Sequence, residues 1–171
     1  MTPPSTRRSL RPASWPDGAA LMVAIAVTAL AAVIGSVATV EGVDSWYREI
    51  ERPTWTPPDW LFGPVWTVLY LAMAIAAWMV WRAPASPART RGLILYGVQL
   101  TMNATWSIVF FGMNRIGGAL VVILLLLALI IAATFTYWRV DERAAWLFIP
   151  YVLWVAFATA LNGAIWMLNR G

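Results

Sequence analysis

Five stretches of this chain carry no charged side chain, and each is about 22 to 26 residues long, against the ~20 apolar residues that take a helix across a hydrocarbon core of ~30 Å. They are residues 18–40, 60–81, 92–114, 116–138 and 144–169, and the charges fall in the gaps between them. In hydrocarbon every backbone N–H and C=O must find its partner inside the protein, so each stretch is confined to a helix. The chain is therefore expected to be an all-α integral membrane protein, a bundle of five transmembrane helices. Only 12% of its residues are charged, about half the ~25% of ordinary soluble domains.

The first run has a rival reading. Arg7, Arg8 and Arg11 ahead of it, and Ser36-Val37-Ala38 near its end, resemble a cleavable signal. The run is longer than the apolar region of such signals, and we read it as a retained span. Residues 1–17, with prolines at 3, 4, 12 and 16, read as a flexible tail; residues 18–171 read as one membrane domain.

Cysteine and histidine are both absent, which removes disulfides, thiol nucleophiles, imidazole bases and the usual zinc sites. Ion pumps, proton relays and voltage sensors keep ionisable groups at membrane depth, and the five runs offer none. We expect no ground-state catalytic residue, no metal site and no required cofactor. The 12 basic residues are all arginines and sit at segment ends, where topology accounts for them, so no nucleic-acid partner is expected. Arg7, Arg8, Arg11, Arg82, Arg89, Arg91, Arg139 and Arg143 fall on one side of the membrane. Arg48, Arg52, Arg115 and Arg170 fall on the other. The positive-inside rule then puts the N-terminus in the cytoplasm.

Connections differ in kind. Arg115 alone separates the third and fourth runs, which must form a tight antiparallel pair. The connection over residues 41–59 is long and rich in tryptophan and proline, with Trp46-Tyr47 and then Arg52-Pro53-Thr54-Trp55-Thr56-Pro57-Pro58-Asp59-Trp60. Proline fixes φ and tryptophan favours the membrane–water interface, so this loop reads either as an interfacial belt or as a lid.

Helical spacing groups the polar and aromatic residues inside the runs. Gln99 and Asn103 share a face with Trp106; Trp66, Tyr70 and Met73 share another; Trp154, Ala158, Leu161 and Ile165 a third. Ala156, Ala160 and Ala164 form a small-residue ridge opposite the last row, expected to admit a neighbouring helix. Pro150 is expected to bend the fifth span near its start. A pocket walled by indoles, with one or two amides to orient a polar edge, suits a flat and largely apolar ligand.

These residues also carry a family resemblance. The run Arg52-Pro53-Thr54-Trp55-Thr56-Pro57-Pro58-Asp59-Trp60-Leu61-Phe62-Gly63-Pro64-Val65-Trp66, continuing to Leu69-Tyr70, resembles the signature of the TspO/MBR family of tryptophan-rich sensory proteins and translocator proteins. Gln99-Leu100 with Asn103, Trp106 and Phe110-Phe111-Gly112 agrees with it, as does Pro150-Tyr151 with Trp154, Phe157-Ala158, Leu161-Asn162 and Trp166. The resemblance implies a five-helix bundle in a bacterial cell membrane that binds tetrapyrroles such as protoporphyrin IX, and drugs of the isoquinoline and benzodiazepine type. The first loop would close over the site. It implies ligand-binding positions at Trp66, Asn103, Trp154, Ala158 and Leu161, with Tyr47 in the loop; spacing adds Tyr70, Gln99 and Trp106.

The family also implies an alternative, light- and oxygen-dependent breakdown of the bound porphyrin, for which Trp66 and Trp154 are the photochemical candidates. Transport of a tetrapyrrole or lipid is a third reading, which the lack of broken helices or inverted repeats weakens. Two departures limit the resemblance. Gly163 and Met167 stand where a cholesterol-recognition segment needs a tyrosine and a basic residue. A homodimer is an expected partner state, but Ile94 and Val98 occupy the positions of a glycine-x-x-x-glycine face, with Gly97 out of register.

Overall fold

The computed structural model describes residues 17–43 and 46–170. The expected tail, apart from Asp17, and with it Arg7, Arg8 and Arg11, lies outside the described residues. Five helices are long and apolar enough to cross a membrane, as the uncharged runs require. They are α1 (Asp17–Val43), α3 (Phe62–Arg82), α4 (Pro87–Ser107), α5 (Ile116–Trp138) and α6 (Glu142–Leu168), with a one-turn helix α2 (Trp46–Glu49) inside the first loop.

Local chemistry sets the ends of these helices where the uncharged runs could not. The third run, expected at 92–114, starts at Pro87 instead. The Ser86 hydroxyl accepts the Arg89 N–H at 3.1 Å, and Pro87 occupies the first turn, where no N–H is needed. Its α-helical part stops at Ser107 and passes into a π turn, Ile108–Gly112. Asp141 caps α6 in the same way, accepting from the Arg143 N–H at 2.9 Å. The helix then runs unbroken through Pro150.

Within the bundle α5 packs between α4 and α6, α3 packs on α6, and α1 lies against α3, α4 and the π turn. Met73, Ile130, Tyr137, Phe148 and Tyr151 are fully buried at the centre. Leu30, Phe135 and Leu153 are among the large apolar side chains left exposed, the faces that lipid covers in place of water. Of the alanine ridge only Ala164 is partly buried. Ala156 and Ala160 are exposed, because α6 turns Val155, Ala158 and Leu161 inward instead.

Two glycines mark close approaches. A Cβ on Gly117 would lie 2.9 Å from the Trp166 Nε1, and one on Gly35 would lie 3.3 Å from the Ser107 Oγ. The first contact draws α5 onto the end of α6; the second draws α1 onto α4. At the opposite end of α1, the Trp78 indole donates to the Asp17 carbonyl at 3.0 Å, and Arg82 meets the Asp17 carboxylate at 3.4 Å. The described ends of the chain thus fall on opposite sides of the bundle, and the first loop shares the side of the α6 terminus.

Candidate functional site

Beneath the first loop the helices leave a cavity of about 530 Å³, within the ~300–1,000 Å³ typical of small-molecule sites. Four helices and the loop build it. From α3 come Phe62, Trp66 and Tyr70; from α4 and the π turn Trp106, Phe110 and Phe111; from α6 Trp154, Ala158, Leu161 and Ile165. The end of α1 supplies Gly35, Ser36 and Thr39, and Tyr47 of α2 covers the top.

The polar side chains of the wall are tied back to the protein. Ser36 donates to the Val33 carbonyl at 3.0 Å, Thr39 to Gly35 at 2.8 Å, and Thr67 to Gly63 at 2.9 Å. These hydroxyls spend their protons on the carbonyls of their own helices. Asn162 is occupied at both ends of its amide. It accepts from the Trp106 indole N–H at 3.1 Å and donates to the Ile116 carbonyl at 3.0 Å. That pair fixes the plane of Trp106, which stacks on Phe110 at 5.5 Å between ring centres.

The π turn shapes the upper wall. It sets Phe110 and Phe111 at 6.1 and 5.6 Å from the Tyr47 ring, so two consecutive side chains serve one aromatic cluster. π turns of this kind recur at functional sites. Tyr47 is only 4% exposed. Burial pushes its phenol upward, and the nearby Arg52 partly opposes that. The Arg52 guanidinium lies 4.8 Å over the Tyr47 ring and 3.5 Å from Asp59, the one carboxylate among the described residues of the cavity wall.

Tyr47 points inward and Trp55 rests on Phe157 at 5.8 Å, whereas Trp60 is 72% exposed. The loop thus lays Tyr47 and Trp55 on the bundle and leaves Trp60 at its surface.

Seven of the nine residues singled out from the sequence surround this cavity: Tyr47, Trp66, Tyr70, Trp106, Trp154, Ala158 and Leu161. Gln99 and Asn103 do not. Both are almost wholly buried behind the wall, in a network that supports it. Tyr70 donates to the Asn103 amide oxygen at 2.7 Å, and the Asn103 amide reaches the Tyr151 hydroxyl at 3.4 Å. Tyr151 in turn donates to the Gln99 amide oxygen at 2.8 Å, and the Gln99 amide meets the Met73 sulfur at 3.6 Å. Spacing places Gln99, Asn103 and Trp106 on one side of α4, but the cavity reaches only as deep as Trp106.

Sequence reasoning missed Phe62, Phe110, Phe111 and the residues of α1. The phenylalanines stood beside recognised positions, so their neighbourhood was a signal. Ser36, Thr39 and Gly35 stand in a run whose composition gives no face preference.

Comparison with known proteins agrees with this architecture. The model of the TspO/MBR family matches residues 23–167. The tryptophan-rich protein TspO of Archaeoglobus fulgidus is 39% identical over 137 residues, covering 79% of this chain and 87% of that protein. The tryptophan-rich sensory protein of Cereibacter sphaeroides is 37% identical over 126 residues, 74% and 78% of the two chains. The human translocator protein is 39% identical over 128 residues, 74% and 76% of the two chains. With five membrane-spanning helices, the Trp- and Pro-rich loop over an indole-walled cavity and a match along most of its length, the chain belongs to the TspO/MBR family.

Proposed function

We propose that this protein binds a flat, largely apolar ligand of the tetrapyrrole class, such as protoporphyrin IX, and acts as a sensor or handler of that ligand in a bacterial cell membrane. The observation that carries the reading is the cavity itself. Trp66, Trp106 and Trp154 stand on three different helices around one space, closed above by Tyr47. Indoles on several sides hold a planar conjugated molecule by stacking and edge contact, each worth about 0.5–1.5 kcal/mol beyond the area buried. Isoquinoline- and benzodiazepine-type drugs are flat and apolar in the same way and would compete for the site. The relatives' names, sensory protein and translocator protein, fit a ligand-responsive membrane protein. The arginine balance supports a cytoplasmic N-terminus.

The test is a dark titration of the purified protein with protoporphyrin IX, followed by quenching of tryptophan fluorescence and by absorbance. Saturable binding is expected, and Ala158→Trp, which fills the cavity without removing an aromatic wall, should abolish it. Undiminished binding to Ala158→Trp would move the ligand elsewhere and end this reading. So would a sterol or a peptide co-purifying from the native host in the place of a tetrapyrrole.

A further inference from the structure

One side chain at the end of the chain holds the first loop by its backbone. Asn169, the residue after α6, accepts the Glu51 N–H through Oδ1 at 3.0 Å. Its Nδ2 donates to the Glu51 carbonyl at 2.9 Å, and also to the Ile165 carbonyl one turn back in α6 at 2.8 Å. A carboxamide thus reads both polar groups of one residue, as a neighbouring strand would, while the bond to Ile165 aims it. Glu51 precedes Arg52, whose guanidinium caps the Tyr47 ring, and Tyr47 and Ile165 both line the cavity. Among the described residues, the loop also meets the helices through rings. Trp46 and Tyr47 lie on Phe110, Tyr47 also on Phe111, and Trp55 on Phe157. Ring contacts tolerate sliding and tilting, whereas a paired amide fixes one register.

We propose that Asn169 is the latch of the loop, a positioning residue that holds Tyr47 over the cavity and sets how fast a ligand enters and leaves. The proposal rests on the cavity being a ligand site. Its chemistry is specific to asparagine. Leucine removes both functions, aspartate keeps the acceptor and loses the donor, and glutamine keeps both on a stem one methylene longer. Asn169 does not line the cavity, so a change there alters the rates of exchange in both directions more than it alters affinity.

The experiment uses the full chain in lipid nanodiscs with protoporphyrin IX as the probe. Hydrogen exchange at the Glu51 amide is followed without ligand, and release is followed by stopped-flow fluorescence. In Asn169→Leu both should quicken about ten-fold, the factor that one net hydrogen bond is worth. Asn169→Asp should fall between, and Asn169→Gln should recover part of the wild-type rate, which also covers the case in which the leucine variant folds poorly. The chain has no cysteine, so a Glu51→Cys/Asn169→Cys pair reacts alone. Closing it with a short bifunctional thiol reagent should slow release below the wild-type rate. Unchanged Glu51 exchange in the leucine and aspartate variants, or release unaltered by the cross-link, would overturn the latch. If the wild type binds no protoporphyrin IX, the ligand reading fails instead, and the exchange at Glu51 still decides whether Asn169 closes the loop.

Discussion

The hydroxyl of Tyr70 on α3 hydrogen-bonds the amide oxygen of Asn103 on α4 at 2.7 Å, and that bond is the boundary between the cavity and the polar network sealed behind it. Tyr70 presents its ring to the cavity, whereas Asn103 is 1% exposed. Loss of one partner therefore strands a group that no water reaches.

From this asymmetry follows a double-mutant result. Tyr70→Phe removes one oxygen yet leaves the Asn103 carbonyl without its donor, a penalty of about 1–3 kcal/mol. Tyr70→Phe combined with Asn103→Leu makes both sides apolar and should recover part of that loss. Thermal unfolding in detergent micelles reads the difference. Losses that simply add would show that the two groups do not act as a pair.

The packing at Gly117 makes a second expectation. Gly117→Ala drives a methyl group into the Trp166 indole at 2.9 Å and should cost about 1–3 kcal/mol, the usual range for overpacking. Gly97→Ala is the control. A Cβ there meets nothing within 4 Å, and alanine is the better helix former by up to about 1 kcal/mol. Equal thermal midpoints for the two variants would mean that α5 and the end of α6 are not in contact as described.

Light separates binding from chemistry. Trp66→Phe and Trp154→Phe keep an aromatic face and should weaken porphyrin affinity by only about 0.5–1.5 kcal/mol; leucine at the same positions should weaken it more. If the indoles also deliver electrons to an illuminated porphyrin, phenylalanine should stop its breakdown while the dark affinity survives. Loss of breakdown in step with loss of binding would leave a binding protein alone. Absorbance titration in the dark, then product analysis under light, distinguishes the two for each variant.

The arginine balance gives an orientation to check. A reporter fused after Gly171 that is active only outside the cytoplasm should work, since five crossings from a cytoplasmic N-terminus end outside. A fusion active only in the cytoplasm would reverse the orientation and leave the fold unaltered.

Much of the fold was legible because a bilayer permits so few solutions. Five uncharged runs become five helices, since no other open structure satisfies the backbone there. The faces of α3 and α6 were legible too, because tryptophan and tyrosine recur at helical spacing among smaller residues. Gln99 and Asn103 were harder. Spacing assigns a residue to a side of its helix, but not whether a cavity or a packed neighbour faces it, and Tyr70 and Tyr151 decide that. The π turn was illegible because nothing in the local pattern of Ile108–Gly112 distinguishes it from a continuing α-helix. The pairing of Asn169 with Glu51 joins residues 118 positions apart, beyond the reach of any local pattern.

The peripheral placement of α1 has a consequence for biogenesis. It is the least buried of the five spans, and it supplies one whole wall of the cavity through Gly35, Ser36 and Thr39. During synthesis this helix enters the bilayer first, yet its docking surface on α3, α4 and the π turn exists only after the later helices have arrived. The cavity is thus the last part of the molecule to be completed.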